Sequence, residues 1–162
     1  MNTNEALEIG RQIAEEWVWK TETNTPEPNR LDVTLTSIDD LIPMVVALRV
    51  KRLGYLAAIT GLDLGSDSGN LEVLYHFCTA NAIITLRVRV PREHASVPSL
   101  CGVIPSAEAF ERELSEMFGV EVVGLPNPLR LYLPDNWPEN VYPLRKDTDE
   151  EALSRLETLG EL

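Results

Sequence analysis

The pattern of hydrophobic and polar positions divides the first third of the chain into elements of two kinds. Apolar residues recur at roughly helical intervals in EALEIGRQIAEEWVW, which predicts a helix over about residues 4–19 that contains Gly10. The polar, proline-bearing TETNTPEPNR that follows is typical of a loop. LDVTLT then alternates apolar and polar residues, as a half-buried strand does.

A second helix is predicted after this strand. Ser37 is a suitable N-cap residue, and Asp40 follows it three positions later, where Glu or Gln is more usual. We expect the helix to continue to about Arg52 and to end before Gly54.

Three strands of an antiparallel meander are predicted next, in YLAAITGLDLG, LEVLYHFCTA and AIITLRVRV, with the turn-rich SDSGN between the first two. One face of the last two strands is apolar and the other is mostly polar, which indicates a sheet with a core on one side. The apolar face carries Leu71, Val73, Tyr75 and Phe77 in one strand and Ile84, Leu86, Val88 and Val90 in the next.

A third helix is predicted in AEAFERELSEMFG. We expect Ser106 to cap it and Gly119 to end it, and VEVV to add a last strand. The preceding linker is expected to contain a short helical turn that begins near Pro98. The apolar stripe of the helix consists of Phe110, Leu114, Met117 and Phe118.

Helices that alternate with a meander predict an α+β fold, a two-layer sandwich of a mixed, largely antiparallel sheet with helices on one face. We predict one sandwich domain over residues 1–123, an extended arm over 124–147 that docks on a partner, and an acidic C-terminal tail over 148–162.

The charge of the chain excludes some classes of function. Its 26 acidic and 14 basic residues give a net charge of −12, and no stripe of Lys and Arg stands out for a nucleic-acid backbone. No apolar run approaches the ~20 residues that span a bilayer, since the densest patch, LIPMVVAL, contains Pro43. The start of the chain does not resemble a secretory signal, so a cytoplasmic location is expected.

Candidate metal ligands are few. The chain has two cysteines, Cys78 and Cys101, and two histidines, His76 and His94. An iron–sulfur cluster needs about four thiolates and a structural zinc site needs several Cys or His ligands. His76 and Cys78 leave the same face of one strand, but two ligands are too few, so we expect this chain to bind no metal and no cofactor of its own.

Signals for catalysis are equally sparse. The glycines of GLDLGSDSG match neither dinucleotide nor phosphate-loop spacing and are typical of a hairpin turn. His94 lies beside Glu93 without the spacing of a nucleophile. An independent small enzyme that uses Glu113 or His94 as an acid–base group is the alternative from another class, and we predict no catalytic residues.

The arm has an unusual composition without a regular period. Arginines, Trp137 and Tyr142 are concentrated there among prolines that stiffen an extended backbone. Arginine and aromatic residues are enriched in protein interfaces. From the residues alone, an interface and an ordinary packed coil both remain open, and Arg112 and Glu116, four apart on the preceding helix, are also typical of a solvated face.

A long ordered series of short motifs carries a family resemblance. The series is Glu111-Arg112-Glu113, Glu116, Phe118-Gly119, Gly124, Pro126, Leu129-Arg130, Pro134-Asp135, Trp137 and Pro143-Leu144-Arg145-Lys146-Asp147. It resembles the signature of the thirty-kilodalton subunit of respiratory NADH:quinone oxidoreductase (complex I), a family shared with a component of membrane-bound energy-converting [NiFe] hydrogenases.

The chain also departs from the family pattern. Leu125 stands where His is usual, Asn127 where Asp is common, Leu131 where a second Arg is common and Glu116 where Asp is typical. NWPENVYPLRKD is similar to the version in formate-hydrogenlyase-type and other energy-converting hydrogenases. The branch therefore stays open between complex I and these hydrogenases, and an adaptor paralogue that serves another complex is a further alternative.

The resemblance implies a non-catalytic structural subunit of the peripheral part of the complex, on the cytoplasmic face of the membrane. It implies docking on the large hydrogenase-like subunit beside iron–sulfur subunits, with the clusters and NADH/quinone or [NiFe] chemistry on those partners. Arg130, Arg145 and Lys146 are expected to engage the partner's carboxylates or carbonyls, and Trp137 to fill a pocket. The expected interface consists of Glu111, Arg112, Glu113, Glu116, Arg130, Trp137, Tyr142, Pro143, Leu144, Arg145, Lys146 and Asp147.

Overall fold

The computed structural model describes residues 1–17 and 21–148. This part of the chain forms three α-helices and seven strands. The helices are α1 (Thr3–Glu15), α2 (Leu41–Val50) and α3 (Glu108–Phe118). The strands are β1 (Thr21–Glu27), β2 (Arg30–Leu35), β3 (Tyr55–Asp63), β4 (Asn70–Thr79), β5 (Ala82–Pro91), β6 (Ser96–Pro98) and β7 (Glu121–Val123).

The main sheet has five strands in the order β1-β2-β5-β4-β3. The strands β3, β4 and β5 form the predicted antiparallel meander, and β2 joins the sheet parallel to β5. The predicted α+β sandwich with a mixed, largely antiparallel sheet is confirmed. A separate two-stranded parallel sheet pairs β6 with β7, so VEVV is a strand, although not one of the main sheet.

The helices cover one face of the sheet, as predicted from the alternation of β4 and β5. α1 packs closely on β2 and β5, because a Cβ atom at Gly10 would lie 3.0 Å from the side chains of Leu31 and Ile84. α3 packs on β3 at Gly61, where a Cβ atom would overlap the Phe118 ring. The largest fully buried side chains of this core are Tyr75, Phe77, Ile13, Leu31, Leu41, Met44, Leu48, Leu53, Leu71, Ile84, Leu86 and Leu100.

The opposite face of the sheet is polar, as expected, and carries a network of ion pairs. Arg87 lies between two buried carboxylates, with Nη1 3.0 Å from Asp32 and Nη2 2.5 Å from Glu72. Arg30 contacts Asp32 at 2.7 Å and Arg89 contacts Glu72 at 3.5 Å. Removing one partner of such a pair would leave a buried charge uncompensated and would destabilise the fold.

The prediction of a loop over residues 21–30 is wrong. Residues Thr21–Glu27 form the edge strand β1, paired antiparallel with β2. All but the first residue of β1 are exposed, so neither face of the strand needs apolar residues. An edge strand of this kind lacks the alternation by which a strand is predicted from sequence.

Helix boundaries differ from the predictions at several points. α1 ends at Glu15, four residues before the predicted end, and residues 18–20 lie outside the described part of the chain. Ser37 is an N-cap as predicted, since its side chain accepts a hydrogen bond from the Asp39 N–H at 3.3 Å, but a short 3₁₀ turn precedes α2. α2 ends at Val50, two residues before the predicted end.

Of two predictions on the segment before α3, the helical turn is present and the cap is not. Ser96–Pro98 form β6, and the turn begins two residues after Pro98, where the N–H groups of Val103 and Ile104 donate to the Leu100 carbonyl oxygen at 2.8 and 2.7 Å. Ser106 lies inside a 3₁₀ turn over Pro105–Ala107 that runs into α3, so it does not cap the helix. Gly119 ends α3 as predicted, with a positive φ of 65°.

Candidate docking surface

Two side chains of α3, one turn apart, hold the backbone of the arm (residues 124–147). Arg112 donates to the carbonyl oxygens of Leu129 at 2.7 Å and Arg130 at 2.6 Å. Glu116 accepts from the N–H groups of Leu131 and Tyr132, the latter at 3.0 Å. The face of α3 that carries Arg112 and Glu116 is therefore occupied by the arm. Arg112 donates to the carbonyl groups of residues 129 and 130, and Glu116 accepts from the N–H groups of residues 131 and 132.

Arg130 and Trp137 organise the middle of the arm. The Arg130 guanidinium donates to the carbonyl oxygens of Pro134 at 2.7 Å and Trp137 at 2.9 Å. The Trp137 indole is 8% exposed, and its Nε1–H donates to the Val141 carbonyl oxygen at 2.8 Å. The middle of the arm has no helix or strand. It is fixed by the buried Trp137 indole, whose N–H is hydrogen-bonded, and by the Arg130 guanidinium, which donates to two carbonyl oxygens.

Arg145 fixes the last part of the arm to the end of α3. Its Nε donates to the Phe118 carbonyl oxygen at 2.6 Å, and its guanidinium lies 4.7 Å from the centre of the Tyr142 ring. The Tyr142 ring in turn lies against Gly119, where a Cβ atom would overlap it. Gly119 is thus required both for its positive φ and for this close approach.

An ion-pair cluster joins the end of the arm to the sheet. Arg92 bonds Asp63 and also Asp147, the latter at 2.5 Å, and the Lys146 N–H donates to Asp63 at 2.7 Å. Burial acts to raise the pKa of Asp63, but the hydrogen bonds from Arg92, Lys146 and Gly65 outweigh it and hold that pKa well below its usual range. The hydrogen bond from Arg92 lowers the pKa of Asp147 as well.

Glu111, one of the predicted interface residues, is buried within this chain. Its side chain is buried, with 1% of the residue exposed, and it accepts from Ser99 Oγ at 2.6 Å and from the Leu100 N–H at 2.5 Å. The Cys101 thiol also donates to it at 3.3 Å. Glu111 therefore anchors α3 to the loop that precedes it, and burial together with this carboxylate raises the pKa of Cys101.

Trp137, Arg130 and Arg145, which are predicted to contact a partner, make contacts within this chain. Trp137 is buried and bonds the Val141 carbonyl oxygen, and both arginines bind carbonyl oxygens of this chain. The physical reason is that the arm has no regular ladder, so side chains must satisfy its peptide groups. The interface itself stays a prediction, and Leu144, Lys146 and Asp147 are its exposed members in the unbound chain.

Several large apolar side chains of the arm are exposed. Leu129 is 70% exposed, Tyr132 63% and Leu144 53%, and Leu131 is exposed as well. A cleft of about 310 Å³ lies between α3 and the arm, and its walls include Arg112, Leu129, Arg130, Trp137 and Tyr142. Leu129 thus combines an exposed apolar side chain with a position on the wall of this cleft.

The other candidate residues do not assemble into a metal site in the described part of the chain. No group of three or more His, Cys, Asp and Glu side chains within residues 1–17 and 21–148 is placed to hold a metal ion. His76 Nδ1 lies 3.1 Å from Thr85 Oγ1, and burial lowers the pKa of His76. Glu113 lines a groove beside β3, whereas His94 lines a different pocket near Arg92.

Two residues that hold the arm carry no signal in the sequence. Asp63 and Arg92 hold the end of the arm, yet they lie 84 and 55 positions before Asp147 in the chain. Arg92 is the residue after the β5 strand and Asp63 the last residue of β3, so both stand at strand ends. The ends of β3 and β5 lie at the same end of the sheet. Nothing in the sequence indicates that the arm, so far along the chain, binds there.

The fold and the site together define a class of protein. It is an α+β domain that carries an arm fixed by side chains of the same chain, and its described residues contain no assembled metal site. Comparison with known proteins then gives the family. Residues 34–153 match the family described as the respiratory-chain NADH dehydrogenase 30 kDa subunit. The chain belongs to this family.

Relatives fall on both branches of the predicted resemblance. The chain is 38% identical over 120 residues to formate hydrogenlyase subunit 5 of Escherichia coli (strain K12), a match that covers 72% of this chain and 21% of that protein. It is 35% identical over 112 residues to an NADH-quinone oxidoreductase subunit of Moorella thermoacetica, a match that covers 67% of this chain and 74% of that protein. This chain thus corresponds to about a fifth of the first relative.

A solved structure has the same fold. A chain of the membrane-bound sulfane sulfur reductase, an archaeal respiratory membrane complex, superposes with a TM-score of 0.77 over 98% of this chain and 92% of that one, at 23% identity. Within residues 1–17 and 21–148, none of the helices has the length and apolar content that crossing a membrane would require.

Proposed function

We propose that this chain is a non-catalytic structural subunit in the hydrophilic, peripheral part of a complex I-like electron-transfer complex, and that it docks on a large hydrogenase-like subunit next to iron–sulfur subunits. The observation that carries the proposal is the arm. Its backbone is fixed by Arg112, Glu116 and Arg130, while Leu129 and Tyr132 extend from the same stretch into solvent.

A fixed arm with exposed apolar side chains is suited to docking. A segment that is ordered before it binds loses less conformational entropy on association, so more of the contact energy appears as affinity. Leu129, Tyr132 and Leu144 supply the apolar contact area, and the cleft beside Trp137 is able to receive an apolar side chain of the partner.

The redox chemistry is proposed to lie in the partner subunits. Iron–sulfur clusters, and either NADH and quinone or a [NiFe] centre, are assigned to those chains, and this chain is proposed to bind no cofactor. The complex is proposed to hold the subunit at the cytoplasmic face of the membrane.

A second candidate is the equivalent subunit of an energy-converting [NiFe] hydrogenase or of a formate-hydrogenlyase-type complex. The 38% identity with formate hydrogenlyase subunit 5 favours it, beside the 35% identity with the NADH-quinone oxidoreductase subunit. In both cases the proposed structural role is the same and the partner differs. An adaptor role in an unrelated complex is the third possibility.

Purification from the native host decides among these candidates. The chain is tagged at its native locus, membranes are solubilised in mild detergent, and co-purifying proteins are identified by mass spectrometry together with nickel analysis. A large hydrogenase-like subunit without nickel and with quinone-reductase activity supports the complex I type, whereas nickel with hydrogen evolution supports the hydrogenase type. Recovery of the chain alone from membranes and cytosol would contradict both.

Variants of the exposed residues test the docking surface in the same preparation. Leu129→Ser with Tyr132→Ser is expected to lose most of the co-purifying large subunit, because both side chains are more than half exposed and their contacts are free for a partner. Val50→Ser, which changes a 73% exposed apolar residue on α2, is the matched control and is expected to retain the subunit. Equal recovery with both variants would refute the arm as the docking surface.

A further inference from the structure

The two edges of the main sheet differ in their protection against strand addition. β1 contains Pro26, which has no N–H to donate, and the charged residues Glu22 and Glu27. Proline and charges are the devices by which edge strands resist pairing with another chain. β3, at the other edge, has neither from Tyr55 to Leu62. Within residues 1–17 and 21–148 no strand pairs with the outer edge of β3, so this is the edge open to an added strand.

Apolar groups flank the β3 edge on the face that the helices cover. Ile59, Leu114, Phe118 and Leu144 line a groove of about 120 Å³ between β3 and α3. Gly61 also lines it and adds no side chain of its own, so the groove comes close to the backbone of β3. Leu144 remains 53% exposed at its rim.

Exposed apolar residues flank the same edge on the opposite face. Tyr55 is 66% exposed and Leu62 40% exposed, and their partners in β4, Cys78 and Glu72, place both on the face away from the helices. Successive side chains of a strand point to alternate faces. A strand added here would find apolar contacts on both sides, from the groove and from Tyr55 and Leu62.

The charges indicate what kind of strand fits. Glu113 is the one charged residue among those that line the groove in the described part of the chain. A second copy of this chain would bring the same acidic residue and a further charge of −12. A segment with Lys or Arg opposite Glu113 would instead form an attractive pair across the interface.

We propose that β3 is the site of β-augmentation: an extended segment of the partner subunit, apolar at alternate positions and with a basic residue facing Glu113, pairs with its free edge. Leu144 connects this edge to the arm, since it lines the groove and its N–H donates to the Met117 carbonyl oxygen at 3.1 Å. The inference rests on the proposed function in that the strand comes from a partner subunit. Backbone hydrogen bonds would supply affinity and the groove would supply specificity.

Hydrogen–deuterium exchange on the isolated chain and on the intact complex tests the inference. Amides of residues 55–62 are expected to exchange more slowly in the complex, as are those of the arm, while amides of β1 remain unchanged. Protection of the arm without protection of β3 would overturn this inference and leave the proposed function standing. No protection of either segment would overturn both, and β3 protection that rises with the concentration of the isolated chain would overturn the partner-strand proposal by assigning the edge to a second copy.

A matched pair of substitutions gives a second readout. Thr60→Lys places a charge on β3 and Thr25→Lys places the same charge on β1, at positions that are both exposed. Thr60→Lys is expected to reduce recovery of the partner several-fold and to abolish the β3 protection, whereas Thr25→Lys leaves both as in the wild type. Equal recovery with the two variants, each folded by its urea midpoint, would overturn the proposal.

Discussion

Arg145 caps the helix on which its own arm rests: its Nε lies 2.6 Å from the carbonyl oxygen of Phe118, the last residue of α3. The last carbonyls of a helix have no partner within the helix, and the C-terminal end of the helix dipole favours a cation. Arg145 supplies both the donor and the charge. The residue that a family resemblance assigns to an interface therefore also stabilises the isolated domain.

Replacement of Arg145 by Ala is expected to lower the free energy of unfolding of the isolated chain by about 1–3 kcal/mol, since a part-buried hydrogen bond from a charged donor to the Phe118 carbonyl oxygen is lost. Urea denaturation measures the change. Arg11→Ala is the control, because the Arg11–Glu8 pair is exposed and spans 3.8 Å, and its effect is expected to stay within about 0.5 kcal/mol. Equal losses in the two variants would contradict the capping role.

Glu116→Ala is expected to release the middle of the arm without unfolding the domain. The carboxylate accepts from the amides of Leu131 and Tyr132, and each hydrogen bond to a charged group contributes about 1.5–3 kcal/mol. Exchange of these two amides is therefore expected to accelerate by at least about tenfold. Glu121→Ala, at an exposed position of β7, serves as the control. Unchanged exchange of the amides of residues 131 and 132 in Glu116→Ala would show that other contacts hold the arm.

The parts of the fold that were predictable are those with a one-sided environment. The meander and α3 each bury one face, so β4 and β5 alternate and the Leu114–Phe118 stripe follows the helical period. β1 buries neither face and carried no such signal. Periodicity reports burial on one side, and an edge strand in water on both sides escapes it.

The arm shows a second limit of sequence reasoning. The residues that matter were recognised, but their partners are backbone groups, as for Arg112 with the Leu129 carbonyl oxygen and Glu116 with the Tyr132 N–H. Every residue offers the same backbone groups, so composition cannot indicate which peptide is bound. The cluster of Arg92 with Asp63 and Asp147 adds partners far apart in the chain, which only the folded structure brings together.

Gly119→Ala is expected to destabilise the isolated chain by at least about 1 kcal/mol, because a left-handed conformation is costly for a non-glycine residue and the new Cβ would displace the Tyr142 ring. Gly102→Ala is a close control, since a Cβ atom at Gly102 would meet no atom within 4 Å. Thermal or urea unfolding compares the two. A Gly119→Ala chain as stable as Gly102→Ala would show that Tyr142 does not pack there in solution.

Acidification is expected to detach the end of the arm, through Asp147. Its pKa is lowered in the folded chain by the hydrogen bond from Arg92, and a carboxyl with a depressed folded pKa contributes stability above its unfolded pKa of about 3.9. That contribution is lost as the pH falls from about 3.9 through the folded pKa. The difference in unfolding free energy between wild type and Asp147→Asn should therefore be constant near neutral pH and shrink below about pH 4. If the Asp147 difference persisted unchanged at the lowest pH at which the chain stays folded, the ion pair with Arg92 would not be what holds the arm.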